Sequence, residues 1–217
     1  METIHEIKNK VLKTAVWLSK NNYFGGRLTS GGNVSARIPR EELFAITPSS
    51  VPFNEISTDA ICLVDFGLNR IQGDLKPPIE AGMHAAIYKR RFDVEAVCHT
   101  HQFHASIFSI LNTPIPALFD EVTLYIGNEV AVIPYAIRGT EALTQSVEKA
   151  LENGCFCYIM QNHGALNLGR TLKEALRNAE LLERAAKVYH SALGTHKAIT
   201  TLPESSLSFW DEVRKTL

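Results

Sequence analysis

Asn33-Val34-Ser35-Ala36-Arg37-Ile38, Leu43-Phe44-Ala45-Ile46 and Ala60-Ile61-Cys62-Leu63-Val64 are three short runs of strand-forming residues. Turn and loop chemistry separates them, and no helix-length apolar pattern lies between them. Asp65–Gly67 and Leu68–Ile71 then read as a hairpin. Strands in such close succession predict an antiparallel sheet covered by helices, because parallel neighbours need a long crossover. Upstream, Ile4, Ile7, Val11, Leu12, Ala15 and Leu18 repeat near a 3.6 period and predict a helix from about Ile4 to Asn21. A loop rich in glycine follows at Gly25-Gly26-Arg27-Leu28-Thr29-Ser30-Gly31-Gly32.

Downstream the pattern changes. Pro77-Pro78 precede a helix over Glu80–Arg91, Val94–His99 reads as a strand, and His101–Leu111 as a helix. Val130–Ile133 is a further strand, and Thr140–Glu152 a helix stopped at Asn153-Gly154. Phe156–Met160 reads as a strand, and Thr171-Leu172-Lys173-Glu174 as a capping box opening a helix that runs to Gly194. The stretch Thr195–Leu217 is weakly patterned and is expected as an adaptable, flexible tail on a single domain spanning residues 1–217.

Composition narrows the function. The 217 residues are 45% hydrophobic and 21% charged, with a formal net charge of -1, which gives no basic footprint for nucleic acid. A small metabolite suits this balance better. No Asp, Glu, Lys or Arg occurs from Ala96 to Phe119, yet three histidines, Gln102, Asn112 and two prolines argue against a membrane span. Cys62, Cys98, Cys155 and Cys157 fit neither a disulfide framework nor a zinc-knuckle spacing, so free thiols and a cytoplasmic location are expected. The first residues also lack the basic-then-apolar order of a signal peptide.

Chemistry concentrates in the histidines. Val97-Cys98-His99-Thr100-His101 places two imidazoles at i and i+2, on one face of a strand, and Gln161-Asn162-His163-Gly164 supplies a third. Three imidazoles with an open position suit a catalytic zinc site rather than a structural one. His84 and His104 sit one helical turn from Glu80 and His101, where each is either an anchor for a site residue or a core residue. Glu80 is either a carboxylate favoured by a helix N-terminus or a metal-side acid/base. Gly31-Gly32-Asn33-Val34-Ser35 and Thr47-Pro48-Ser49-Ser50 are tight turns whose N–H groups also suit an anion. Asp120-Glu121 is either a solvated loop or an acid pair.

Taken in order, Ser30–Ser35, Ile46–Ser50, Glu80 with Met83-His84, Val97–His101, Ile115-Pro116-Ala117, Pro134-Tyr135, Gly139-Thr140 and Gln161–Gly164 resemble the class II aldolase/adducin family. The likeness runs from about Ile4 to Gly194. It implies an α/β, three-layer α/β/α fold with a central, mainly antiparallel sheet flanked by helices, assembled as a homotetramer with sites near subunit interfaces. It also implies that His99, His101 and His163 bind a divalent metal, zinc above all, with manganese, cobalt or iron as alternatives. Glu80 would be the acid/base and, without substrate, a fourth ligand. Gly32, Asn33, Ser49 and Ser50 would line a substrate phosphate pocket.

Two departures bear on the reaction. Sugar-phosphate aldolases of this family commonly carry a serine pair before the catalytic Glu, and here Pro78-Ile79 stand there, removing two hydroxyl donors and one backbone N–H. Where fuculose-phosphate aldolases place a tyrosine acid, this chain has Asp120, so Asp120 or Glu121 is expected as proton donor, with Tyr125 behind them. The resemblance therefore implies aldol cleavage of a ketose or ketose phosphate, with decarboxylation or dehydration on the same metal site as alternatives. A non-catalytic, adducin-like interaction module is the remaining alternative.

Overall fold

The structure, a computed structural model, describes residues 2–26 and 31–216. Arg27, Leu28, Thr29 and Ser30 of the glycine-rich loop lie outside the described residues.

Helix α1 (Ile4–Lys20) starts at the Thr3/Glu6 capping box and buries Ile7, Val11, Ala15 and Leu18 at helical spacing. The meander follows as expected: β1 (Asn33–Arg37), β2 (Leu43–Ile46), β3 (Cys62–Asp65) and β4 (Arg70–Gln72), each antiparallel to the one before. Then come α2 (Ala81–Arg90), β5 (Ala96–Thr100), α3 (Phe103–Leu111), β6 (Ile115–Pro116), α4 (Asp120–Tyr125), β7 (Glu129–Ile133) and α5 (Glu141–Ala150). The chain closes with β8 (Cys157–Met160), β9 (Ala165–Gly169), α6 (Leu172–Leu193) and α7 (Glu204–Thr216).

The nine described strands form one sheet in the order β4-β3-β2-β1-β5-β9-β8-β7-β6. All neighbours are antiparallel except β7 and β8, which α5 joins as a crossover. On one face α2 and α5 bury Met83, Ile87, Tyr88, Leu143 and Val147 against Phe44, Val64, Val97, Tyr158 and Leu166. On the other, α1 packs on Val34, Ala36, Leu63 and Cys98, while α3 and α6 cover Cys157, Ile159 and Ala165. Val97 and Cys98 thus face opposite layers, the alternation of a strand buried on both sides. This is the three-layer arrangement that the resemblance implies.

Several boundaries differ from the sequence reading. The helix expected from His101 starts at Phe103, which leaves His101 in the strand exit. Its free N-terminal amides are met by Glu183 of α6, which accepts from the N–H groups of His104 and Ala105 and pairs with the His104 ring at 2.7 Å. Strand β9 and helix α4 arise where the sequence suggested neither. The stretch expected as a tail is instead docked: Arg214 donates to the Thr123 carbonyl, Trp210 to Asp120, and Arg170 to the Arg214 carbonyl. Polar latches rather than an apolar stripe hold α7, which is why its periodicity is weak. All four cysteines are free and buried, and among the described residues no helix is long and apolar enough to cross a membrane.

Candidate active site

The site is assembled at one end of the central strands. In the β1–β5 ladder Asn33 stands opposite His99, and in the β5–β9 ladder His99 stands opposite Leu166. The β1–β2 pairing continues through Thr47 N–H to the Val34 carbonyl, after which Ser49 N–H turns to the Lys76 carbonyl. Ser49 is half-buried and Ser50 exposed, and their hydroxyls lie 3.1 Å apart.

His99 sits on β5 and is fully buried. Its Nδ1–H donates to the Ala165 carbonyl at 3.0 Å, which leaves the Nε2 lone pair facing inward. His101 follows β5, with its backbone N–H on the Tyr23 carbonyl. His163 lies in the tight β8–β9 turn, where Asn162 takes φ 53° and Met160 N–H meets the Gly164 carbonyl at 2.7 Å. The three rings stand with centroids 4.8 to 5.4 Å apart, and their candidate ligand nitrogens lie within 4.8 Å of one another.

Glu80 faces this cluster. It is the N-cap of α2, yet its side chain makes no capping bond. Its Oε1 lies 3.0 Å from His163 Nε2 and its Oε2 3.5 Å from His99 Nε2, while Asn33 Nδ2 donates to Oε2 at 2.9 Å. Burial alone pushes this carboxyl up, but His99, His163 and Asn33 together outweigh it and hold Glu80 below the ordinary carboxylate range. Burial pushes the His99 imidazole down, and pushes His101 down to about 3. Both rings are therefore neutral at pH 7, with lone pairs available.

This donor set fits a divalent cation. His101 Nε2 and His99 Nε2 approach to 3.2 Å, and Glu80 Oε1 is buried without a hydrogen-bond donor. Lone pairs converging without protons between them are satisfied by positive charge.

Behind Glu80 lies a buried polar chain. Asn33 Oδ1 contacts His84 Nε2, His84 Nδ1 lies 2.7 Å from Ser35 Oγ, and Ser35 Oγ lies 2.6 Å from the Tyr88 hydroxyl. Both ends of the Asn33 amide are thus taken within the protein. Sequence reasoning singled out His84 and read Ser35 as part of an anion-suited turn, whereas Ser35 lies on β1 and bonds His84, and it missed Tyr88. Their signal was there: Asn33 and Ser35 are an i, i+2 pair on β1, meeting His84 and Tyr88, an i, i+4 pair on α2.

The other expected residues do not join the cluster in the single chain. Asp120 accepts from the Trp210 indole at 2.7 Å, Glu121 pairs with Arg184 at 3.1 Å, and Arg177 stacks on Tyr125. Ile79 is exposed, with its side chain against Gly139. A cavity of about 330 Å³ between α2 and α5 is lined by Ile79, Glu80, Met83 and Thr140 but by none of the three histidines.

Comparison with known proteins matches residues 10–190 to the family described as Class II Aldolase and Adducin N-terminal domain. The L-fuculose phosphate aldolase of Methanococcus vannielii is 33% identical over 168 residues, 77% of this chain and 88% of that relative. The L-fuculose phosphate aldolase of Escherichia coli K12 is 32% identical over 187 residues, covering 86% and 85% of the two chains. A solved L-fuculose 1-phosphate aldolase superposes with a TM-score of 0.88 at 30% identity, covering 99% of this chain and 98% of its own.

Proposed function

The chain belongs to the class II aldolase and adducin family, and on that premise we propose that it is a metal-dependent lyase that cleaves a ketose or ketose phosphate by a retro-aldol reaction. The observation that carries this reading is the buried Glu80 carboxylate, whose oxygens lie 3.0 Å from His163 Nε2 and 3.5 Å from His99 Nε2. His99, His101 and His163 would hold a zinc ion, or manganese, cobalt or iron, with Glu80 as a fourth ligand before substrate arrives. Such a cation would supply positive charge to stabilise a developing oxyanion on the substrate.

The chain's own residues do the rest. Glu80 holds or releases the proton at the enediolate carbon through Oε1, the oxygen that no donor occupies. Asn33 fixes Oε2. Gly32, Ser49 and Ser50 form the turn pair proposed to receive the substrate's anionic end. Asn33, carried over by resemblance as a phosphate contact, gives one of its two amide protons to Glu80 and its oxygen to His84, so we propose that it also positions the carboxylate. For the acid that protonates the departing alkoxide, Asp120 and Glu121 are the carboxylates to test. A homotetramer with sites near subunit interfaces would have to bring them to a neighbouring site, since Trp210 and Arg184 hold them within the chain.

Pro78-Ile79 favour a second reading. Ile79 is 63% exposed where a serine would offer a hydroxyl, which suits a substrate with a carboxylate or with no phosphate. Decarboxylation or dehydration of a hydroxy or oxo acid would use the same metal and Glu80.

The deciding experiment measures metal content beside His99→Ala and His163→Ala, then turnover of L-fuculose 1-phosphate, free ketoses and hydroxy acids. About one metal per chain, lost in both variants, with Glu80→Gln keeping metal but losing turnover, is the expected result. A protein that neither carries nor takes up metal would instead be a non-catalytic interaction module.

A further inference from the structure

The buried chain behind Glu80 has a direction that donor and acceptor chemistry forces. A carboxylate only accepts, so the Asn33 end facing Glu80 must be the NH2 group. Asn33 Oδ1 then faces His84 Nε2, and an amide oxygen only accepts, so Nε2 must carry the proton. Burial holds His84 neutral, its imidazole pushed down to about 3, so Nδ1 has no hydrogen. Ser35 must therefore give its single hydroxyl proton to His84 Nδ1, and its oxygen is left to accept from Tyr88. Every link points from Tyr88 toward Glu80. Reversing His84 would turn Asn33 Oδ1 onto the carboxylate, setting two acceptors against each other in a buried site.

We infer that His84 is a positioning residue for Glu80: as the fixed Nε2–H tautomer it locks the Asn33 amide in the one orientation that donates to Oε2. The consequence is a division of labour within one carboxylate. Oε2 is tied to the protein and Oε1 is left for the proton that moves. This deepens the acid/base reading of Glu80 and rests on it.

The test has an arm that needs no turnover. In protein labelled with 15N-histidine, the signals that vanish in His84→Gln should show a protonated Nε2 and an unprotonated Nδ1 at neutral pH. Exchange of the Asn33 side-chain amide protons should be slow in the wild type and on the order of tenfold faster in His84→Leu, the equivalent of one buried hydrogen bond. His84→Gln, whose amide both donates and accepts, should restore slow exchange. In the kinetic arm, with L-fuculose 1-phosphate as probe, His84→Leu should lower kcat while KM and metal content stay level, and His84→Gln should recover kcat. A protonated Nδ1, or equal Asn33 exchange in wild type and His84→Leu, overturns the inference. The tautomer is read on wild type, so it decides the matter even where the His84→Leu chain fails to fold. Full turnover in Glu80→Gln would refute the acid/base reading separately, whatever the tautomer.

Discussion

Gly164→Ala should damage the site although it removes no functional group. A Cβ built there lies 2.3 Å from His101 Cδ2, 3.0 Å from His101 Nε2 and 2.5 Å from the Thr100 carbonyl oxygen. Ordinary carbon contacts begin near about 3.5 Å, so roughly 1 Å of separation must be found. The Thr100 carbonyl cannot supply it, because Thr100 is paired with Ala165 in the β5–β9 ladder. The β8–β9 turn that carries Gly164 and His163 must therefore shift away from Thr100, and the imidazole of His101 must turn aside as well. Misplacing a positioned group by about 1 Å costs on the order of 100-fold in rate, and disturbing a metal ligand's support costs about 10- to 100-fold in affinity. Gly164→Ala should therefore fold, bind zinc at least about tenfold more weakly in competition with a chelator, and lose most turnover. Gly82→Ala is the control. Its Cβ meets only Leu68 Cδ1 at 3.5 Å and Thr144 at 3.8 Å, and alanine within α2 should gain about 0.5–1 kcal/mol of stability. If Gly164→Ala bound zinc as tightly as wild type, the imidazole cluster would not be the metal site.

Three other outcomes follow from the same contacts. Arg214→Ala should lower the unfolding free energy by about 2 kcal/mol in urea titrations, since it strips the buried donor to Thr123 that latches α7; an unchanged midpoint would mean the latch contributes nothing. His84 is pushed from 6.5 to about 3 in the folded chain, so the unfolded chain binds that proton first and stability, full above pH 6.5, falls as pH drops toward 3. His84→Gln should flatten that acid slope, and an identical slope in the variant would show that His84 is not its source. Zinc at about 100 times its Kd should stabilise the folded chain by about 2.7 kcal/mol, visible as a rise in Tm that a chelator reverses and His99→Ala abolishes.

The meander was legible because β1, β2 and β3 are short apolar runs that local turns join, so neighbours in sequence are neighbours in space. Strand β9 was not, for a physical reason. Asn167 and Gly169 break its apolar pattern, and Asn167 is tolerated only because Cys98 and Thr100, distant in sequence, accept its amide protons. Helix α7 stayed hidden because Arg214 and Trp210 dock it through partners some ninety residues away. At the site, the three imidazoles and Glu80 could be picked out as types at suggestive spacings. What the sequence withheld was pairing: that Asn33 turns to Glu80 and His84, and that Asp120 turns to Trp210.

That difference in legibility matches a difference in mechanical support. His99 and Glu80 sit on a central strand and a buried helix start, with Asn33, Ser35, His84 and Tyr88 buried behind them. Groups that must meet within tenths of an ångström need such support. The residues that would choose a substrate, Ser49, Ser50 and Ile79, occupy turns or exposed positions where a side chain can change without disturbing the sheet, whereas Gly32 abuts the His99 carbonyl and admits no side chain. Replacing a serine pair by Pro78-Ile79 therefore leaves Glu80, its Asn33 contact and the imidazoles in register while removing donors from the entrance. The proton-handling machinery and the substrate's recognition are thus mechanically separable in this fold. Restoring serines at 78 and 79 should accordingly alter which substrate is taken, with KM for phosphorylated ketoses falling, and leave zinc affinity as it was.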